Sequence, residues 1–239
     1  MGRAFEVRKV AMGKTAAKKS KLYARYGKEI YMAAKGGTTD PDTNATLKNI
    51  IEKAKKDQIP SDVIKRAIDK AKGGSDETYT PIRYEGFGSG GSLYIVECLT
   101  DNVNRTVAEV RNCFTKSNGK LGISGSVVHQ FSHSSVFTIL GVTEDEVLEM
   151  VIENDLNVND IEVDEDGTSI YGDASEYATI KASIDTKYPE KELLTDGIMW
   201  LAINDVTLED EEAQLDNQKL QNMLDELDDV QDVYHNISN

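Results

Sequence analysis

The chain has 239 residues, enough for about two or three small domains, and a formal net charge of −15. No apolar run reaches the roughly 18 residues of a transmembrane helix, and no hydrophobic signal region opens the chain, so we expect neither a membrane span nor a secretory signal. Its two cysteines, Cys98 and Cys113, stand in apolar settings typical of reduced core thiols, which favours a cytoplasmic protein over a disulfide scaffold.

Three amphipathic helices are predicted in the first 75 residues. The segments SKLYARYGKEIYMAAKGG, DPDTNATLKNIIEKAKKDQ and IPSDVIKRAIDKAKGG each repeat apolar residues at helical spacing. The first stops at Gly36-Gly37, and the third opens at Pro60-Ser61 and ends at Gly73-Gly74. Three short helices that share one core would leave their lysines facing outward.

Strands follow, on either side of the glycine-rich stretch YEGFGSGG. Its residues Gly86, Gly88 and Gly91 match the Gly-x-Gly-x-x-Gly fingerprint of dinucleotide-binding loops. That fingerprint binds a pyrophosphate only where a helix begins directly after it, because the amides of the helix N-terminus hold the anion. Here IRYEGFG and GGSLYIVECL are both rich in β-formers, so the sequence predicts a glycine-rich hairpin turn instead.

A helix and another strand come next. TDNVNRTVAEVRNCFTKSNG predicts a helix with a capping box from Thr106 to Glu109 and a stop at Asn118-Gly119, and GSVVHQF is strand-like. From Ser135 onward the predicted order is β-α-β-β-α-β, with a second capping box that begins at Thr143. That order is the ferredoxin-like arrangement.

The tail, NQKLQNMLDELDDVQDVYHNI, indicates one helix and one strand. Such a pair cannot bury its apolar face alone, whereas the incomplete sheet of residues 79–131 needs a helix and a strand. We therefore predict that the tail completes the middle domain. The predicted domains are a basic helical domain (1–75), a discontinuous α/β domain (76–131 with 208–239) and an inserted acidic ferredoxin-like domain (132–207). The predicted fold class is α+β: a helical N-terminal domain followed by two α/β (ferredoxin-like) domains, the third inserted in the second.

Several segments together resemble the YebC family, also called the PmpR or TACO family, and most closely its YeeN-like branch. The segments that carry the resemblance are SKLYARYGKEIYMAAKGG, AIDKAKGGSDE, RYEGFGSGG, NVNRTVAEVR, LGISGSV and DELDDVQDVYHN. The resemblance implies a three-domain α+β protein without catalytic chemistry. Many bacterial members are described as probable DNA-binding transcriptional regulators, and others act in translation, including the relief of ribosome stalling.

Charge is distributed very unevenly along the chain. Residues 1–75 carry 18 Lys and Arg against 8 Asp and Glu, whereas residues 132–239 carry 4 against 28. A basic patch is typical of proteins that bind nucleic acid. The alternative is that these lysines only keep the helix surfaces hydrated and bind no partner. The candidate nucleic-acid-binding residues are Arg3, Arg8, Lys9, Lys14, Lys18, Lys19, Lys21, Arg25, Lys28, Tyr31, Lys65, Arg66, Lys70 and Lys72.

The kind of nucleic acid is less clearly indicated. Lysines mostly contact phosphates, which position a protein without reading sequence. Tyr31 lies opposite the apolar stripe of its predicted helix and is a candidate for stacking on unpaired bases, as in RNA binders. The acidic body would be repelled by a duplex that lay alongside it, so ribosomal or transfer RNA is favoured, with DNA as the alternative.

A second candidate site is the polar loop before the fourth predicted helix, with Asn102, Asn104, Arg105 and Thr106 as its candidate residues. One interpretation is capping chemistry, in which Asn104 or Thr106 is the N-cap. The other is a recognition loop on a rigid sheet.

No catalytic group is indicated. The acidic tail residues are Asp225, Glu226, Asp228 and Asp229, and because they lack calcium-loop spacing, we expect a solvated face, no metal and no cofactor. An adaptor that binds a protein partner through the acidic body is a third interpretation.

Overall fold

The computed structural model describes residues 17–74 and 77–238. The described helices, in chain order, are α1 (Ala17–Gly36), α2 (Ala45–Lys56), α3 (Ser61–Lys72), α4 (Val103–Lys116), α5 (Glu144–Glu153), α6 (Tyr177–Lys187) and α7 (Glu211–Glu226). The described strands are β1 (Thr80–Phe87), β2 (Leu93–Thr100), β3 (Lys120–Leu121), β4 (Phe131–Ile139), β5 (Asp160–Val163), β6 (Thr168–Asp173), β7 (Leu193–Ala202), β8 (Val206–Thr207), β9 (Val230–His235) and β10 (Ile237–Ser238). None of the described helices is long and apolar enough to cross a membrane.

The chain divides into two compact units. The first contains the helical region, residues 77–124 and residues 209–233, and the second contains residues 125–208 and 234–238. The boundaries of the three predicted domains stay a prediction.

The three predicted helices of the first 75 residues are confirmed. They pack around one core because each buries one apolar face, with Ile30 of α1, Leu47 of α2 and Ile64 of α3 among the buried residues. The N-cap of α2 is Asn44, whose side chain accepts a hydrogen bond from the Leu47 amide. Because the apolar faces meet inside, the polar faces of α2 and α3 point to solvent.

The α/β part of the first unit is a four-stranded sheet in the order β3-β1-β2-β9. Strands β1 and β2 form an antiparallel hairpin that runs from the pair Thr80–Thr100 to the pair Phe87–Leu93. The tail supplies β9, which lies at the edge of this sheet beside β2. Helices α4 and α7 pack against each other in this unit.

The glycine-rich stretch is the turn of this hairpin, as predicted. A single 3-10 turn, Ser89–Gly91, leads directly into β2, so no helix N-terminus follows the glycines. Gly90 and Gly91 have φ angles of 71° and 82°, which favour glycine. Gly88 is required for space, because a Cβ there would lie 2.3 Å from the Ser92 hydroxyl and 2.6 Å from Oδ1 of Asn217.

The second unit has the predicted ferredoxin-like order, β4-α5-β5-β6-α6-β7. Its antiparallel sheet has the strand order β5-β6-β4-β7. Helices α5 and α6 share one core with one face of this sheet, including Phe137, Met150 and Ile180. The capping box at Thr143 and Glu146 is confirmed.

Residues 125–131 differ from the prediction of a strand. Val128–Gln130 form a 3-10 turn, and β4 begins only at Phe131. The apolar pair Val127-Val128 gives this stretch a strand-like composition, but Val127 is buried outside the sheet ladder.

Candidate nucleic-acid interface

The outward side of α3 presents cations to solvent. The predicted cations of this helix are all exposed: Lys65, Arg66, Lys70 and Lys72. Nζ of Lys70 lies 2.5 Å from Oε2 of Glu77, and Nζ of Lys72 lies 3.8 Å from Oδ1 of Asp69. Exposed pairs of this kind contribute little free energy, so a phosphate can replace either carboxylate.

Helix α2 adds cations that the residue-by-residue prediction missed. Its exposed lysines are Lys48, Lys55 and Lys56. Their signal in the sequence is the helical spacing of the buried residues Leu47, Ile51 and Ala54, which leaves the lysines on the other side. We call the exposed cations of these two helices the cationic face; its members are Lys48, Lys55, Lys56, Lys65, Arg66, Lys70 and Lys72.

Three of the predicted cations of α1, Lys21, Arg25 and Lys28, contact other parts of the chain, which the sequence did not predict. Nζ of Lys21 donates to the backbone carbonyls of Leu224 and Asp225, at the end of α7. The guanidinium of Arg25 and the ammonium of Lys28 each form an ion pair with a carboxylate of the tail. The reason is that the tail brings its acidic groups to this side of α1.

Asp229 is the centre of these contacts, and it is only 4 % exposed. Its Oδ1 accepts from Lys28 Nζ at 2.8 Å, and its Oδ2 accepts from Arg105 Nη2 at 2.6 Å. The hydroxyls of Thr100 and Thr106 also donate to Oδ2, at 2.9 and 2.8 Å. Burial alone would raise the pKa of this carboxyl, but the four donors outweigh it and hold the pKa well below its usual value. Asp229 is therefore not part of a solvated acidic face.

The predicted recognition loop is largely a helix start, and its role in binding stays a prediction. Asn102 is the N-cap of α4, because its side chain accepts a hydrogen bond from the Arg105 amide at 3.1 Å. Asn104, Arg105 and Thr106 lie inside the first turn, and neither Asn104 nor Thr106 is the N-cap. Thr106 is buried against Asp229, Arg105 is paired with it, and Asn104 is exposed.

Tyr31 is buried, which corrects its interpretation as a base-stacking residue. The residue is 2 % exposed, and its hydroxyl donates to the backbone carbonyl of Glu77 at 2.7 Å. The ring of Tyr79 meets it edge-on, with centroids 5.9 Å apart. Residues beyond the helical wheel of α1 cover this tyrosine, so the wheel alone misplaced it.

Six of the candidate nucleic-acid-binding cations lie outside the described residues or have side chains that are not described. Arg3, Arg8, Lys9 and Lys14 precede the described residues, and the side chains of Lys18 and Lys19 are likewise outside them. Their proposed contacts with nucleic acid remain predictions.

The two cysteine thiols lack the features of reactive thiols. Cys98 and Cys113 are both buried, and burial raises the pKa of the Cys98 thiol to about 12 and also raises the pKa of Cys113. A thiol with a raised pKa is a weak nucleophile near neutral pH. Within residues 17–74 and 77–238, no three His, Cys, Asp or Glu side chains are placed to hold a metal ion.

Two family models match the chain in succession. The TACO1/YebC protein N-terminal domain matches residues 3–74, and the TACO1/YebC second and third domain matches residues 79–237. The chain belongs to the TACO1/YebC family. The α+β fold class is thereby confirmed.

Relatives in this family match over nearly their whole lengths. A probable transcriptional regulatory protein of Acholeplasma laidlawii is 54% identical over 238 residues, which are 99% of this chain and 98% of the relative. One of Alteromonas mediterranea is 50% identical over 236 residues, with the same coverage of 99% and 98%. The crystal structure of a conserved hypothetical protein from Aquifex aeolicus has a TM-score of 0.79 and 35% identity, and the match covers 95% of this chain and 93% of that one.

Proposed function

We propose that this TACO1/YebC protein is a non-enzymatic regulator of transcription that binds duplex DNA in the cytoplasm through its cationic face. The observation that carries the proposal is the exposure of those lysines and Arg66 on a basic helical domain, while the chain as a whole has a charge of −15. The names of its relatives support the regulatory part of the proposal. We also propose that the chain belongs to the YeeN-like branch of this family.

The composition of the cationic face favours contacts with phosphates over base reading. Helix α3 contains no Asn or Gln, the residues that pair with adenine edges, and α2 contains one, Asn49. Lysine binds phosphate as a point charge, which gives affinity and register without much sequence information. We therefore expect sequence preference, if the protein has one, to come from DNA shape or from another partner.

A second candidate function is translational regulation on structured ribosomal or transfer RNA. The observation that favours it is the charge of residues 132–239, which carry 28 Asp and Glu against 4 Lys and Arg. A duplex that extends past the helical domain would meet this negative charge, whereas a compact RNA that receives only the helical domain would avoid it.

Binding to labelled duplex DNA and to labelled transfer RNA, measured over a salt series, tests the proposal. If the cationic face engages about six phosphates of a duplex, log K should fall with log salt with a slope of about −5. The triple variant Lys55→Glu, Lys65→Glu and Arg66→Glu should weaken binding at least about tenfold, because each change removes a phosphate contact and adds repulsion.

The matched control is Arg111→Glu with Lys116→Glu and Lys120→Glu, which reverses three exposed cations in the α/β part of the same unit. Binding should change far less in this control. Equal losses in the two variants would show that net charge, not the cationic face, determines affinity. Tighter binding to transfer RNA than to duplex DNA would favour the second candidate function.

A further inference from the structure

Arg25 already holds a carboxylate in the geometry in which a guanidinium binds phosphate. Its Nη1 and Nη2 each lie 2.9 Å from one carboxylate oxygen of Asp232. Its Nε lies 2.9 Å from Oε1 of Glu29, and Nη1 also donates to the carbonyl of Gln231 at 2.7 Å. The two-pronged pair with Asp232 is the arrangement that arginine forms with carboxylate and with phosphate alike.

The contacts of α1 with the tail differ in their access to solvent. The side chains of Arg25 and Asp232 are 31% and 34% exposed, whereas those of Lys28 and Asp229 are 14% and 5% exposed. An anion from solution can therefore reach the outer pair while the inner pair stays closed. Asp232 can leave Arg25 without any movement of α1, because the ion pair of Lys28 with Asp229 holds this helix in place.

We propose that Arg25 is a binding site for a phosphodiester group of nucleic acid, and that Asp232 occupies this site when no nucleic acid is bound. Binding exchanges the carboxylate of Asp232 for a phosphate, and Asp232 turns to solvent. The tail thus competes with nucleic acid for a cation of the helical domain. This inference rests on the proposed function, because it adds a regulated contact to the same basic domain.

The energies of the two partners make the exchange feasible. A partly exposed ion pair contributes little free energy, because water and salt screen it. A phosphate of a nucleic acid brings the additional entropy of released counterions, which a single carboxylate lacks. The exchange also makes binding selective, since polyanions that bind weakly would not displace Asp232 from Arg25.

The test compares Asp232→Asn with Asp228→Asn. Both variants remove one negative charge from the same segment with almost no change in shape. Asp228 is exposed, and in the described part of the chain its carboxylate has no hydrogen bond or ion pair, so it is a matched control for general charge. The probes are a short labelled DNA duplex and a labelled transfer RNA, and circular dichroism checks that both variants fold.

We expect Asp232→Asn to raise affinity about threefold to tenfold, because a phosphate no longer competes with a carboxylate for Arg25. The salt slope should stay the same, because the same phosphate contact forms in both proteins. Asp228→Asn should leave the affinity nearly unchanged. Adding Arg25→Ala to Asp232→Asn should remove the gain. Equal effects of the two Asp variants, or a gain that survives the loss of Arg25, would overturn the exchange while leaving the proposed function intact.

Binding results for the unmodified protein separate the two proposals. If neither the protein nor Asp232→Asn binds either probe at low salt, both proposals are wrong. If only Asp232→Asn binds, the exchange is supported. Should Asp232→Asn fail to fold, the NMR resonance of the Arg25 Nε–H in the unmodified protein provides the answer: it should shift when duplex is added, and an unchanged resonance in a protein that binds would contradict the exchange.

Discussion

Asp229 shows how one buried charge connects distant parts of the chain. Its carboxylate receives donors from α1, β2 and α4, and it lies 201 residues after its partner Lys28. A buried carboxylate is tolerated only when its lone pairs are satisfied, and here four donors satisfy them. The acidic run around it gives no hint of this, because Asp228 next to it is exposed.

Replacing Asp229 by Asn should lower the free energy of unfolding by about 3 kcal/mol, because the ammonium of Lys28 would stay buried without its counter-charge. Urea denaturation measures the change. Asp228→Asn, at an exposed position, should stay within about 0.5 kcal/mol of the unmodified protein. A loss of the same size in both variants would contradict the role assigned to Asp229.

The stabilisation that Asp229 provides should depend on pH, and Asp229→Asn can be used to measure this. The pKa of Asp229 is lower in the folded than in the unfolded chain, so its contribution to stability is fully present above the unfolded value of about 3.9 and is lost as pH falls below it. The difference in unfolding free energy between the protein and Asp229→Asn should therefore be constant near neutral pH and narrow below about pH 4. A constant difference down to pH 3 would rule out an ionised Asp229 as its source.

At the scale of elements, helix starts show where a sequence is informative and where it is not. The capping box at Thr143 was predicted from the sequence and is present, whereas the polar run before α2 contains several possible caps, of which Asn44 is the one used. For α4 the same pattern offered several candidates within five positions. Asn102 is the cap, and the hydroxyl of Thr106 instead contacts Asp229, a residue of the distant tail. Local pattern cannot rank candidates when a tertiary contact decides between them.

Asn44 joins two helices, and its replacement tests that role. Besides capping α2, its side-chain amide donates to the carbonyls of Ala33 and Thr38, at 2.9 and 2.7 Å. Asn44→Ala should cost about 1–2 kcal/mol of unfolding free energy, at the upper end of the usual range for caps, because it also frees the end of α1. Asn49→Ala is the control, since Asn49 is exposed inside α2 and the change should be neutral or slightly stabilising. Equal effects would show that the cap contributes nothing specific.

The α+β fold class could be predicted from the sequence because apolar residues recur at regular helical or strand spacing in most of its elements. The helical wheel of α3 correctly separated buried Ile64 and Ala67 from exposed Lys65 and Arg66. The wheel of α1 failed for Tyr31, since Tyr79 and the backbone at Glu77 cover the side that the wheel left open. A wheel describes one helix and its own core, but not what packs on its other sides.

At the scale of the whole molecule, opposite charges are used inside the chain as well as toward partners. Sequence counting correctly located the positive charge in the helical domain, but it did not show that Lys21, Arg25 and Lys28 are held by the tail. Their partners lie about two hundred positions away in the sequence. Among the candidate residues that the structure describes, Lys65, Arg66, Lys70 and Lys72 are exposed, and with the lysines of α2 they define the smaller surface on which the proposed function rests.

Binding of nucleic acid by the cationic face can be tested by ultraviolet crosslinking of the protein in cells, with identification of both the crosslinked peptides and the attached nucleic acid. We expect crosslinked peptides from residues 45–72 attached to DNA. The same peptides attached to ribosomal or transfer RNA would keep the surface and change the function to translational regulation. Crosslinks confined to residues 125–208, or their complete absence, would contradict the claim that the cationic face binds nucleic acid.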